Sequence, residues 1–268
     1  VGAASVKRIA AAIAVCTATP AIAQDRDLCT DRPGLGTPPC IVDRGRVQVE
    51  TGLADWTSTD DAEARSDTLI IGETVVRIGV SDTIEAQIGF TPYGRERVRT
   101  KATGAIDRSD GVGDLLLGAK IGLANPEGSG FSAAVQPQVT LPVGRAPAGA
   151  GDWGAVVVVP VSYELPGGVS LQASPQIAAA VDEDRRGRHV AWGTTVGLGI
   201  DLTDTLGLGL EVQAVRDYDP LGATTQSYAG VSLAWQRGRD LMLDVGLNAG
   251  LNRDSDDVEL YVGFSRRF

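Results

Sequence analysis

The chain has one histidine, His189, beside Arg185, Arg186 and Arg188, and any hydrolase of the serine–histidine type would have to be built on it. Such chemistry needs a serine that the imidazole can deprotonate and an acid that orients the ring. No spacing sets those partners beside His189, so it reads as a solvated loop residue. Acidic groups recur at Asp217, Asp219 and Asp254–Asp257, but Asp254-Ser-Asp256 lacks the glycine and terminal glutamate of an EF-hand calcium loop. Gly111-Val-Gly113-Asp114 has the look of a phosphate loop without the helix whose N-terminus would hold the anion. No catalytic residue, metal or cofactor is expected.

A second set of charged residues has a different order. Arg46, Glu50, Glu73, Arg77, Glu85, Asp114, Lys120, Glu211, Asp244, Glu259 and Arg267 share the polar parity of segments that alternate with period two. The other parity is apolar: Ile84, Ala86, Ile88, Phe90, or Leu241, Leu243, Val245, Leu247, Ala249, Leu251. If the apolar parity meets lipid, the polar one lines a lumen, and the eleven charges are candidates for selecting what passes. Four are basic and seven acidic. The lumen should be negative and weakly cation-preferring, because a low-dielectric wall focuses the field of its charges. Asp114 and Lys120 are either structural counter-ions or selectivity determinants.

About twelve segments of roughly 10–14 residues carry this alternation between Gly45 and Phe268, as strands crossing a bilayer at a tilt should. Short turns at Ser81-Asp82, Asn125–Ser129, Leu165–Gly168, Thr203-Asp204 and Arg237–Arg239 alternate with mostly longer, charged linkers such as Thr57–Ser66, Gly94–Asp110 and Val143–Gly151. That asymmetry predicts an all-β, closed antiparallel transmembrane barrel with short periplasmic turns and longer extracellular loops. Segment 152–164, apolar on both faces from Val156 to Val159, is where the register is open. Aromatics form two expected girdles: Trp56, Phe90, Tyr93, Trp153, Trp192, Tyr218 and Tyr228 near the long loops; Phe131, Tyr163, Trp235, Phe264 and Phe268 near the short turns. The last run, Val258–Phe268, alternates to its final aromatic, and an apolar edge strand needs a partner; in a barrel that partner is the first strand. A soluble β-sandwich would share the alternation but not the loop asymmetry.

The N-terminal residues read as an export signal. Lys7 and Arg8 precede the apolar stretch Ile9–Val15 and the small-x-small site Ala21-Ile22-Ala23, so residues 1–23 are expected to be removed and the mature chain to begin at Gln24. Cys29 and Cys40 then form an even pair in an exported protein, for which a disulfide is the default. Residues 24–44 are expected to be a disulfide-closed segment at the periplasmic mouth, and 45–268 the barrel. A formal net charge of −10 does not suggest nucleic acid. The expected partners are the outer-membrane bilayer of a Gram-negative bacterium, the barrel-assembly machinery and a small solute.

Asp31-Arg-Pro-Gly34, Gly45-Arg-Val-Gln-Val-Glu-Thr-Gly-Leu53, Asp110-Gly-Val-Gly-Asp-Leu-Leu-Leu-Gly-Ala-Lys120, Gln136-Pro-Gln-Val-Thr-Leu-Pro-Val-Gly144 and the C-terminal strand together resemble the phenol-degradation meta-pathway outer-membrane family, whose members are often labelled only "transporter". The resemblance runs from about Thr30 to Phe268. It implies an outer-membrane protein that takes up small hydrophobic or aromatic solutes, and it supplies no binding residues. The expected function is passive uptake; an outer-membrane hydrolase and a structural or adhesive barrel are the alternatives. Because Phe268 anchors the closing strand, its removal should lower the yield of heat-modifiable barrel, measured by gel shift of outer-membrane fractions. An undiminished yield would count against that role.

Overall fold

In the structure, a computed structural model that describes residues 26–268, every regular element is a β-strand. The expected signal segment and the expected start at Gln24 lie outside the described residues. The strands are β1 (Val47–Asp60), β2 (Ala64–Ile71), β3 (Glu73–Gly79), β4 (Ile84–Phe90), β5 (Tyr93–Thr100), β6 (Ile106–Gly111), β7 (Leu115–Ala124), β8 (Phe131–Leu141), β9 (Gly154–Val158), β10 (Val161–Leu165), β11 (Val169–Val181), β12 (Arg188–Thr203), β13 (Leu206–Asp217), β14 (Thr224–Gln236), β15 (Leu241–Gly250) and β16 (Val258–Arg267). Four pairs are single staves interrupted once: β2 with β3, β4 with β5, β6 with β7 and β9 with β10. That leaves twelve staves, each antiparallel to the next. The sheet closes where β16 pairs with β1, from Gln48 opposite Arg267 to Ser58 opposite Val258. Closure leaves no row of backbone donors and acceptors facing lipid, the condition for sheet in a bilayer.

Three of the four interruptions have a local cause. Gly72 takes φ +76°, separating β2 from β3. Pro92 and Pro160 lack the N–H that a ladder needs, and they fall at the β4/β5 and β9/β10 breaks. The second break is the double-faced apolar stretch: Val156 and Val158 sit opposite Gln138 and Gln136 on the inner face, while Val157 faces out opposite Pro137. The short turns gather at one mouth and the longer connections at the other.

Two linkers expected as loops are strand instead. β1 runs on to Asp60 and turns within three residues into β2, and Gly94–Asp110 forms the hairpin β5–β6, which pairs with β2. The sheet β1-β2-β5-β6 therefore stands above the barrel. Its sequence, Tyr93-Gly-Arg-Glu-Arg-Val-Arg-Thr100, carries charge on both faces. A ribbon surrounded by water needs no apolar stripe, so hydrophobic alternation does not reveal it.

In the strands from β11 to β16 the apolar parity faces outward as expected. In β15, Val245 is 50% exposed while Asp244 next to it is 3% exposed. Trp153, Trp192, Tyr218, Phe131, Tyr163, Trp235 and Phe268 are exposed on the outer surface. Tyr228 departs from the girdle: it lies opposite Gln213 on the inner face, and its hydroxyl lies 3.3 Å from Asp256. Arginine at Val245, which pairs with Val262 and Leu233 midway along its strand, should destabilise the barrel by about 2–4 kcal/mol. Denaturant unfolding in phospholipid vesicles would measure it, and a loss below about 1 kcal/mol would contradict lipid exposure there.

Candidate functional site

The inner face of the barrel is occupied from the short-turn mouth by residues 26–44. This segment touches strands around the circumference, which only a chain inside the barrel can do. Cys29 and Cys40 form the disulfide, with Cα atoms 5.9 Å apart. They close the neck of a loop whose tip, Asp31 to Pro38, reaches the middle of the lumen. Constraining eleven residues of separation in the unfolded chain is worth about 3 kcal/mol by the loop-entropy estimate.

The neck is held by Arg77 on β3, whose side chain is wholly buried. Its guanidinium donates to Glu85 through Nε (2.7 Å) and Nη2 (2.9 Å), and to Glu50 through Nη1 (2.8 Å). Nη1 also lies 3.1 Å from Asp31 of the segment. The same guanidinium donates to the carbonyls of Cys29 and Cys40 at 3.1 and 3.2 Å. Lys120, also wholly buried, pairs with Asp31 and donates to the Pro38 carbonyl at 3.0 Å. Glu50 accepts the backbone N–H groups of Asp31 and Arg32, and Glu85 accepts that of Val42 at 2.8 Å. Wall and segment thus neutralise each other, as buried charges require.

Across the barrel the contacts are fewer and use backbone. Glu211 on β13 accepts the N–H groups of Leu35 (2.6 Å) and Gly36 (3.0 Å). Gly34 has φ +120° and presses on the Glu211 carboxylate, so a side chain there would have no room. Arg32 donates to Asp244 at 2.9 Å and lies over the ring of Tyr261. At the mouth Arg267 pairs with Asp43 (3.0 Å) and Asp240 (2.9 Å) and donates to the Arg26 carbonyl.

Seven of the eleven charges named from parity, Glu50, Arg77, Glu85, Lys120, Glu211, Asp244 and Arg267, are thereby brought to one segment. The other four lie elsewhere. Arg46 is half-buried just before β1 at the short-turn mouth. Asp114 sits in the break between β6 and β7 and accepts the N–H groups of Gly144 (2.8 Å) and Gly151 (3.0 Å), anchoring loop 143–151. That loop folds inward: Ala148 meets Gly94, and Arg145 and Ala146 meet Gly111, both inner-face glycines. Glu73 and Glu259 flank the outer half of the lumen, Glu259 accepting from Asn248 at 2.7 Å.

Sequence parity misses Asp55. The register of β1 against β16 shifts between Gly52 and Ala54, so inward positions change from even (Gln48, Glu50, Gly52) to odd. A bulge of one residue exchanges faces, and Asp55 joins Glu73 and Glu259 inside. The Gly52-Leu53 pair in an alternating run is the only sequence signal for it. Asp31 and Arg32 are also functional neighbours of the wall, known beforehand only as part of the Asp31–Gly34 motif. His189, expected in solvent, has a side chain only 6% exposed.

Replacing Arg77 by Met would leave Glu50 and Glu85 facing each other without their cation. The expected cost is about 3–5 kcal/mol in unfolding free energy, with residues 26–44 becoming open to protease in the folded barrel. Unchanged stability and protection would refute the pinning role.

No curated protein matches the chain. Among solved structures it is similar to an outer membrane channel from Pseudomonas putida F1, with TM-score 0.68 and 14% identity over 88% of this chain and 100% of that one. It is also similar to the translocator domain of the autotransporter NalP from Neisseria meningitidis (TM-score 0.52, 14% identity, 84% and 88% covered) and to the NanC porin (0.50, 7%, 82% and 98%). At these identities the likeness shows the fold, one that channel, porin and translocator share. The model of one family, described as "Putative MetA-pathway of phenol degradation", matches residues 30–268, and the chain belongs to that family.

Proposed function

We propose that the protein is an outer-membrane channel for passive uptake of small solutes, with its path running beside residues 26–44 along the inner faces of β11–β14. One observation carries this reading: the lumen is filled unevenly. On β1, β3, β4 and β7 the inner face bears Gln48, Glu50, Arg77, Glu85, Gln87 and Lys120, all packed against the segment. Toward the short-turn end of β11–β14 it bears Ser170, Gly199, Gly207, Gly209, Ser232 and Ala234. Beside Pro33 these small residues border a cavity of about 510 Å³ toward the short-turn mouth. Loop 143–151 leans on the same crowded side, so the β11–β14 side meets only the tip of the segment, at Ser174, Thr195, Glu211 and Gln213.

The outer half of the path has two chemical characters. Leu116, Val156, Val158, Ala178 and Ala180 give an apolar wall, with a hollow of about 230 Å³ between Leu116 and Ala180. Asp55, Glu73 and Glu259 face it from the opposite side. Such a lumen suits a small solute with an apolar or aromatic body and a polar end, and its carboxylates favour cations over anions. A solute binding site is also consistent with the family description and with the porin among the structural relatives. The reading places no catalytic group in the lumen.

Two variants test it in planar bilayers. Deleting residues 24–44 should raise single-channel conductance several-fold. Gly207→Trp should lower it at least as much, because a side chain there enters the lane without meeting another atom within 4 Å of its Cβ. Reversal potentials across a salt gradient report the sign: anion preference would overturn the assigned role of the acidic residues. Silence from the intact and the deleted protein alike would favour a structural barrel over transport.

A further inference from the structure

At the outer mouth the sole histidine of the chain lies among three carboxylates supplied by two hairpins. His189 stands near the start of β12. Asp182 follows the end of β11, Asp217 ends β13, and Asp219 lies in the β13–β14 loop. Nδ1 is 2.9 Å from Asp182 Oδ1 and 3.5 Å from Asp219 Oδ2, while Nε2 is 2.8 Å from Asp217 Oδ1. The imidazole is 94% buried, and the side chains of Asp182 and Asp219 are 12% exposed. Nε2 is out of contact with solvent and, despite the nearness of Asp217, makes no hydrogen bond.

The arrangement is electrostatically incomplete. A neutral imidazole has one N–H to give, yet carboxylates face both of its nitrogens, so one lone pair points at a negative oxygen. A proton supplies one positive charge against three. A divalent cation supplies two and also uses the nitrogen lone pair. We infer that His189, Asp182 and Asp219 form a binding site for a divalent first-row transition cation of the zinc class, with Asp217 orienting the ring from its other nitrogen.

The donor set supports this assignment. The three candidate ligand atoms lie within 4.8 Å of one another. A tetrahedral zinc with ligands at about 2.0–2.2 Å holds them about 3.4 Å apart, so contraction of the widest separation by about 1.4 Å would complete the site. One imidazole and two carboxylates is a donor set for zinc-like ions, whereas calcium asks for six to eight oxygens. A carboxylate on the far ring nitrogen is the usual companion of a metal-bound histidine, since it fixes the tautomer. The hairpins are already in contact, Glu183 N–H donating to Asp219 at 2.7 Å. Gly187 keeps the place beside Asp182 open, where a Cβ would come within 2.4 Å of Oδ2. The ion would thus join the β11–β12 and β13–β14 connections at the mouth of the proposed path.

Calorimetric titration of the metal-stripped, detergent-solubilised barrel with Zn²⁺ tests the site, with Ca²⁺ as a parallel arm and Co²⁺ absorption as a spectroscopic one. One Zn²⁺ per chain is expected, with visible Co²⁺ bands of a low-coordinate nitrogen–oxygen site and no competition from millimolar Ca²⁺. His189→Ala and, separately, Asp219→Asn should each weaken Zn²⁺ binding at least tenfold. Heat-modifiability should stay intact, since both residues lie outside the lipid-spanning wall. Absence of stoichiometric binding, binding unchanged in both variants, or equal displacement by Ca²⁺ would overturn the assignment. None of these outcomes depends on whether the barrel conducts.

Discussion

A guanidinium with no exposure to water decides how this barrel is filled. Arg77 has left solvent entirely and must recover that loss from Glu85, Glu50, Asp31 and two carbonyls at the disulfide neck. Desolvating an ion costs several kcal/mol, and only multiple well-aligned partners offset it. Wall and segment each supply part of the set, so neither is complete alone. The β-wall without residues 26–44 would hold carboxylates and cations with bonds unmade, and the segment outside the barrel would lack every partner the wall supplies.

The same requirement divides the lumen. Charged partners are long side chains, and where they gather they fill the bore. The opposite wall meets the segment mainly through hydroxyls and a single carboxylate, and its strands carry glycine and serine. Openness on that side follows from where the ion pairs were placed. Backbone contacts at Leu35, Gly36 and Thr37 seat the tip of the loop against Glu211 and Ser174 of that wall, and the gap lies toward the short-turn mouth.

Much of the barrel is legible in sequence because a membrane imposes period two on every strand that crosses it. The twelve staves, the apolar parity of β12, β13 and β15, and the inward Arg77, Glu85 and Lys120 all follow from that rule. Legibility stops where the rule does. The β5–β6 hairpin stands in water, where Arg95, Arg97 and Arg99 need no apolar alternation. One extra residue near Leu53 exchanges the faces of β1 and brings in Asp55. Tyr228 has girdle chemistry but an inward position, which composition cannot distinguish. The depth of residues 26–44 is encoded only jointly, in acids and bases some fifty to two hundred residues apart, and period two within one strand carries no trace of that pairing.

Arg267 on the last strand binds Asp43, just ahead of the first strand, and the Arg26 carbonyl at the start of the internal segment, while the backbone of Phe268 exchanges hydrogen bonds with Val47. The two ends of the barrel chain and the stem of its internal loop therefore converge on a single seam. Without β16, residues 26–44 would lack the Arg267 contacts to Asp43 and the Arg26 carbonyl, so the seam that closes the cylinder also secures its contents.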